Sequence, residues 1–198
     1  MSEPGGHYFA ERPAVASAPG DVELALPDVH VRLSTDRGVF SHGRIDAGTK
    51  LLLLRVPTPP GGNLLDLGCG AGPIALTMAH RSPDATGWAV DVNERARALC
   101  AANAVANGIG NLRVAAPDEV PGDVLFAAIW SNPPIRIGKV ALHDLLLRWL
   151  GRLAPGGEAH LVVHKHLGAD SLQRWLTEQG RPAERVASSA GYRILCVT

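Results

Sequence analysis

Apolar residues recur along this chain in two rhythms that take turns. Val29, Val31 and Leu33 alternate with His30, Arg32 and Ser34, the period-two signature of a half-buried strand. Glycines 38, 43 and 48 break up the stretch that follows, and the apolar run Leu51–Val56 reads as helix. Pro57–Gly62 is a loop that leads into a regular series. Leu64, Leu65 and Leu67 predict a strand, followed by a glycine-rich turn and a helix over Pro73–His80. Thr86–Val90 is a second strand. Glu94–Asn107 is a helix that Asn93 can cap, with Gly108 at the position where a left-handed residue is wanted. Leu112–Ala115 and Val124–Trp130 are further strands. Lys139–Leu153 places Val140, Leu142, Leu145, Leu146, Trp149, Leu150 and Leu153 on one helical face, and Pro155-Gly156-Gly157 stops it. Ala159–Val163 is a strand, Ala169–Gln179 a helix, and Glu184–Ser188 with Tyr192–Val197 a closing pair of strands joined through Ala190-Gly191. Short βα repeats of this kind predict an α/β fold with a doubly wound, mostly parallel sheet and an antiparallel edge hairpin.

The residues ahead of the series behave differently. From Met1 to about Pro27 the chain is rich in Gly, Pro and Ala without a sustained period, and reads as a tail or draped arm. The expected organisation is therefore an N-terminal arm and pre-domain segment over 1–56 and one compact unit over 57–198. At 198 residues and 46% hydrophobic, the chain suits one α/β domain. No apolar run approaches the ~20 residues of a membrane span, and the N-terminus has no basic stretch leading into an apolar one. Cys69, Cys100 and Cys196 are odd in number and lack CxxC spacing, which argues against a disulfide scaffold or zinc ribbon. They suit a reducing cytoplasm, and no metal centre is expected. Nineteen Lys and Arg balance nineteen Asp and Glu. A uniformly basic nucleic-acid coat is thereby excluded, though a local basic patch is not.

Candidate chemistry lies at the strand ends. Asp66-Leu67-Gly68-Cys69-Gly70-Ala71-Gly72-Pro73 follows a strand and opens a helix, the context a nucleotide-type glycine loop requires. Its spacing is GxGxG. Position 73, where GxGxxG wants its third glycine, is proline, so a pyrophosphate on the helix start is disfavoured. Asp66 sits where a carboxylate can hold an ammonium group. Asp91, at the next strand end in Val90-Asp91-Val92-Asn93, can accept both hydroxyls of an adenosine ribose. The pair favours a ligand with an amino acid at one end and a ribose at the other, which describes S-adenosyl-L-methionine.

The segment Ser131-Asn132-Pro133-Pro134-Ile135 ends a buried strand. Its prolines fix a rigid turn that orients Asn132 over the crevice above the sheet. The Asn132 amide oxygen and the Pro133 carbonyl can then accept both hydrogens of a planar amine. Its lone pair is thereby aimed at a sulfonium methyl group.

Together these residues resemble the three marker motifs of class I S-adenosylmethionine-dependent methyltransferases: DLGCGAG at 66–72, VDVN at 90–93 and SNPPI at 131–135. The resemblance is nearest to the methyltransferase small-domain family, which includes small-subunit rRNA guanine-N2 methyltransferases and short archaeal relatives. It covers nearly the whole chain. HYF at 7–9, IRIGK at 135–139 and GYR at 191–193 match the short relatives. The resemblance implies a seven-stranded Rossmann-like methyltransferase sheet and N-methylation of guanine in RNA, expected to be rRNA. It also implies a cofactor site of Asp66, Gly68, Cys69, Gly70, Gly72, Asp91, Val92, Asn93, Asp118 and Asn132. The segment 38–49 resembles the family's pre-domain signature, which adds Phe40, Asp46, Gly48 and Thr49. Catalysis falls to Asn132, Pro133, Pro134 and Ile135.

There are two departures from the pattern. The rRNA enzymes carry a second, degenerate domain copy ahead of the catalytic one, for which 198 residues leave no room. Many relatives place an aromatic residue after the second proline, where it stacks on a flipped base; here it is Ile135. A protein amide, a small molecule, or a non-catalytic cofactor- or RNA-binding role remain alternatives. The oligomeric state is open. Arg44, Arg136, Lys139 and Lys165 are candidate RNA contacts, expected to ring one opening, with solvated surface charge as the other account. Asp118 serves equally well as a solvated loop charge. His164 and His166 read as surface or substrate-lining residues rather than metal ligands.

Overall fold

The structure, a computed structural model, describes residues 15–198; the HYF segment at 7–9 lies outside them. Nine strands and five helices follow one another as β1 (Gly20–Ala25), β2 (His30–Thr35), α1 (Ala47–Arg55), β3 (Asn63–Leu67), α2 (Pro73–Arg81), β4 (Thr86–Val90), α3 (Glu94–Ala106), β5 (Leu112–Ala115), β6 (Phe126–Ser131), α4 (Lys139–Leu150), β7 (Leu153–His164), α5 (Ala169–Glu178), β8 (Ala183–Ser189) and β9 (Tyr192–Val197). Seven strands form one sheet in the order β5-β4-β3-β6-β7-β9-β8. All its pairs are parallel except those of β9, which runs against both neighbours. The expected closing hairpin is present. Its second strand inserts between β7 and β8, so the edge belongs to β8. The two-residue turn has positive φ at Ala190 (48°) and Gly191 (83°), the geometry that matches the twist of a tight hairpin.

Burial on both faces explains why the central strands are nearly continuous apolar runs. Leu64, Ala89, Ala128, Trp130, Val162 and Ile194 face α1, α2 and α3 and a hairpin of β1 and β2. Leu65, Val90, Ile129, Leu161 and Leu195 face the opposite way, onto Leu142, Leu146, Trp149 and Leu150 of α4 and Leu172 and Leu176 of α5. Chain direction reverses about β3, whose neighbours β4 and β6 carry the chain outward on either side. That makes the carboxyl ends of β3 and β6 the switch point where an α/β sheet opens a crevice.

Five elements depart from expectation. The leader is no arm over 20–25: it forms β1, paired antiparallel to β2 from Gly20↔Thr35 to Ala25↔His30. Val22 and Leu24 alternate inward there, and Leu24 is buried in the core with Val31 and Leu33. Helix α1 begins at Ala47 rather than Leu51 because Asp46 caps it, accepting from the Thr49 amide at 3.1 Å. Helix α4 ends at Leu150, not Leu153, and Pro155-Gly156-Gly157 belongs to β7. A bulge accommodates it. A Cβ on Gly157 would lie 2.8 Å from the Phe126 carbonyl, so only glycine lets these strands approach. Strand β6 starts at Phe126, two residues later than Val124.

Two asparagines of α3 hold the β1–β2 hairpin in place. Asn103 accepts from the Ser34 amide (2.8 Å) and donates to the Ser34 carbonyl (3.0 Å), and Asn107 does the same for Arg32 (3.2 and 2.8 Å). One turn apart on the helix, they meet alternate residues of β2.

Candidate active site

The loop after β3 is tied to β4 by the amides of Gly68 and Cys69, which donate to the Val90 carbonyl at 2.8 and 3.1 Å. Gly68, Gly70 and Gly72 all have positive φ, at 80°, 54° and 95°. Their roles differ. Space above Gly68 is open and faces the crevice, so backbone is presented to whatever binds there. At Gly72 a Cβ would come within 2.7 Å of the Cys100 sulfur and 2.8 Å of Leu76, so this glycine serves packing beneath the loop. Cys69 is buried, its thiol donating to the Gly70 carbonyl at 3.7 Å beside the free thiol of Cys100.

Asp66 lies under the loop, 1% exposed. Its Oδ2 accepts from the Ala75 amide in the first turn of α2 at 2.9 Å, while Oδ1 is buried without a partner. Burial pushes its pKa up to about 8, with the charge of Asp91 adding to the rise. Asp91 is raised in the same direction by burial, although it accepts from the amides of Gly70 and Asn93, both at 2.9 Å. A carboxylate has about four acceptor positions, so two remain for hydroxyl groups. Asn93 caps α3 through Oδ1 and ties its Nδ2 to the Gly38 carbonyl at 2.7 Å, joining the pre-domain segment to this wall. A bare buried carboxylate oxygen, a second carboxylate with free lone pairs and an open glycine loop fit a ligand bearing an ammonium group and a diol.

Strand β6 delivers Asn132 into the same crevice. Its Nδ2 donates to Asp46 Oδ2 at 2.9 Å and to Thr49 Oγ1 at 3.1 Å. A carboxylate only accepts, so the nitrogen must face α1 and the amide oxygen is left for the crevice. Ser131 braces the strand end by donating to the Leu67 carbonyl at 2.6 Å. The turn that follows is an inverse γ-turn: Pro134 sits at φ −75°, ψ 70°, and the Ile135 amide donates to the Pro133 carbonyl at 2.8 Å. One lone pair of that carbonyl is therefore used, and the second remains.

The crevice has a volume of about 950 Å³ and runs from Asp91 past Asn132 to the ends of β7 and β9. Phe40, Val92, Asn93, Pro133, Pro134 and Ile135 line it. Asp46 and Thr49 border it as well, by holding Asn132. Gly48 is buried against Tyr192, where a Cβ would meet the ring at 2.6 Å. Asp118 needs correction: it is exposed, and Pro117 takes its place in the lining. The ring of four cations does not form either. Arg44 and Arg136 line the crevice; Lys139, the first residue of α4, and Lys165, just past the end of β7, stand exposed outside its lining.

Tyr192 was not anticipated as a site residue. Burial raises its pKa, and the charge of Asp46 adds to the rise. The His164 ring meets Tyr192 edge-on at 4.8 Å, and His166 lies 5.4 Å from His164. These rings line the far end of the crevice. The GYR segment at 191–193 was the one signal that could have located Tyr192.

Strand order, the reversed β9 and a glycine loop at the switch point define a Rossmann-like methyltransferase fold. The chain belongs to the methyltransferase small domain family, whose model matches residues 30–196. It is 37% identical to YbxB of Bacillus subtilis over 98% of both chains. It is 36% identical to ribosomal RNA small subunit methyltransferase C of Pseudomonas aeruginosa, over 98% of this chain and 56% of that one. In fold it is similar to the T. thermophilus 16S rRNA N2 methyltransferase RsmC in complex with AdoMet and guanosine. The TM-score is 0.76 at 22% identity, over 93% of this chain and 52% of that one. The chain thus spans about half the length of these rRNA methyltransferases and nearly all of YbxB. Among the described residues no helix is long and apolar enough to cross a membrane.

Proposed function

We propose that this chain methylates the exocyclic amine of a guanine in RNA, with rRNA as the expected acceptor, and that it works in the cytoplasm. The observation that carries this reading is Asn132, whose amide nitrogen is pinned by Asp46 and Thr49 so that its oxygen faces the crevice. In this reading Asp66 Oδ1 receives the ammonium group of S-adenosylmethionine, Asp91 receives the ribose hydroxyls, and Gly68 lets the backbone close on the ligand. The pre-domain segment 38–49 covers the cofactor. When bound, the cofactor supplies an electrophilic sulfonium methyl. Asn132 Oδ1 and the second lone pair of the Pro133 carbonyl accept the two amine hydrogens. They hold the amine so that its lone pair points along the line of displacement. The similarity to rRNA methyltransferases supports RNA as acceptor, and Arg44 and Arg136 at the mouth suit a phosphate backbone. Because the reacting amine must reach a recessed turn, the guanine is presented unstacked.

The experiment is transfer of a labelled methyl group to total RNA and, in parallel, to total protein. Label should enter RNA, with the modified base recovered as N-methylguanine. Asn132→Ala should lower transfer about 100-fold while S-adenosylhomocysteine binds as before. Label confined to protein or to small molecules overturns the RNA assignment, and near-normal turnover by Asn132→Ala overturns the role of the amide.

A further inference from the structure

Strand register brings together three side chains that methyl transfer does not use. Glu158 and His160 lie two residues apart on β7 and project from the same face. Cys196 of β9 is the direct cross-strand partner of His160, and Glu184 of β8 stands opposite Cys196 in turn. One carboxylate oxygen of Glu158, one imidazole nitrogen of His160 and the Cys196 sulfur all lie within 4.8 Å of one another. His160 is only 6% exposed, yet its Nδ1 has no hydrogen-bond partner. Glu158 is exposed, which gives the cluster a path to solvent. The cluster is separate from the crevice: none of Glu158, His160 and Cys196 lines it, and on β7 its lining begins at Val162.

We propose that Glu158, His160 and Cys196 form a binding site for a borderline-soft divalent cation of the zinc type. Thiolate and imidazole together disfavour magnesium and calcium, which take oxygen ligands, and suit zinc. Zinc bonds of about 2.0–2.3 Å in a tetrahedron set the ligand atoms roughly 3.3–3.8 Å apart, so the side chains close by about an ångström on binding. Three protein ligands leave a fourth position toward solvent, taken by water or approached by Glu184. The Cys196 thiol loses its proton to solvent as the metal–sulfur bond forms. A metal there ties β7 to β9 at the end remote from Tyr192. Sequence inspection misses such a site because its ligands are assembled by pairing across strands, without the close spacing of a zinc motif.

Cobalt(II), a spectroscopic stand-in for zinc, tests the proposal on the full chain, freed of metal and kept reduced with a non-thiol reductant. One equivalent should bind and give thiolate-to-cobalt charge-transfer absorption in the near ultraviolet with the strong visible bands of a tetrahedral site. Zinc should displace it. Cys196→Ser should abolish the charge-transfer absorption. Glu158→Gln alters an exposed side chain that the fold does not need, and should weaken cobalt binding by about tenfold or more. Both variants should bind S-adenosylhomocysteine like the parent, which separates this test from that of the methyl-transfer reading. No charge-transfer absorption at saturating cobalt overturns the proposal. So does absorption that survives Cys196→Ser, or cobalt affinity unchanged in Glu158→Gln.

Discussion

Asp46 is a positioning residue, and replacing it separates two roles that a crevice carboxylate can have. Its Oδ2 accepts from both the Thr49 amide, as the cap of α1, and the Asn132 side chain. Asp46→Ala removes both bonds and leaves Asn132 held only by Thr49 Oγ1 at 3.1 Å, so the amide can turn its nitrogen toward the acceptor. A hydrogen bond to a charged group contributes about 1.5–3 kcal/mol, and each 1.36 kcal/mol is tenfold in rate. With the Thr49 bond retained, turnover should fall roughly 10- to 50-fold. Loss of the cap should cost about 1 kcal/mol, some 2–4 °C in Tm for a chain of this size. Asp46→Asn keeps a neutral oxygen for both donors, and should retain the Tm and lose less than tenfold in rate. The assay pairs labelled methyl transfer at saturating RNA with calorimetric titration of S-adenosylhomocysteine. The reasoning requires a fall in kcat at constant cofactor affinity. Should the cofactor bind more weakly by the same factor as turnover declines, Asp46 touches the cofactor and the positioning argument is refuted.

Three further outcomes are expected. Asp91→Ala should weaken S-adenosylhomocysteine at least tenfold in calorimetry with the fold intact, since it removes the acceptor of the ribose hydroxyls. Asp66 has a pKa of about 8 in the fold against about 4 unfolded, so its neutral form favours folding. The unliganded protein should therefore lose stability as pH rises from about 4 through about 8, and Asp66→Asn should flatten that profile in urea titrations. Replacing Arg44 and Arg136 together by Ala should flatten the salt dependence of RNA binding by roughly one to two units, and a slope unchanged by the pair removes them from the RNA path.

The central sheet was legible because its strands are buried on both faces and punctuated by glycine and proline. The positions of Asp66, Asp91 and Asn132 at strand carboxyl ends were legible, since this topology opens its crevice there; Asp91 and Asn132 line it, and Asp66 is buried beneath the glycine loop. Strand β1 was not, since the alternation of Val22 and Leu24 spans too few residues to stand out from a leader dominated by Gly, Pro and Ala. The start of α1 was hidden by Gly48, which reads locally as a break; only its tight packing on Tyr192 explains a glycine inside a helix. Pro155–Gly157 reads as a stop signal, and its place in a bulged strand depends on a backbone approach that no local pattern encodes. Tyr192 reaches the crevice through the insertion of β9 beside β7, a long-range pairing. Lys165, one residue past the end of β7, is exposed and outside the lining although His164 and His166 on either side of it line the crevice, a difference that position along the chain does not reveal.

The asparagine clasp between α3 and β2 bears on the order in which the chain can assemble. A two-stranded hairpin alone is marginal in water. This one gains, in place of a third strand, the side-chain amides of Asn103 and Asn107, which lie 69 and 75 residues further along. During synthesis the hairpin residues are made early and must wait until α3 has been made before the clasp can close. The clasp on β2 thus cannot set before the chain has been made as far as Asn107. Residues 20–35 thereby depend for their anchorage on a helix made well after them.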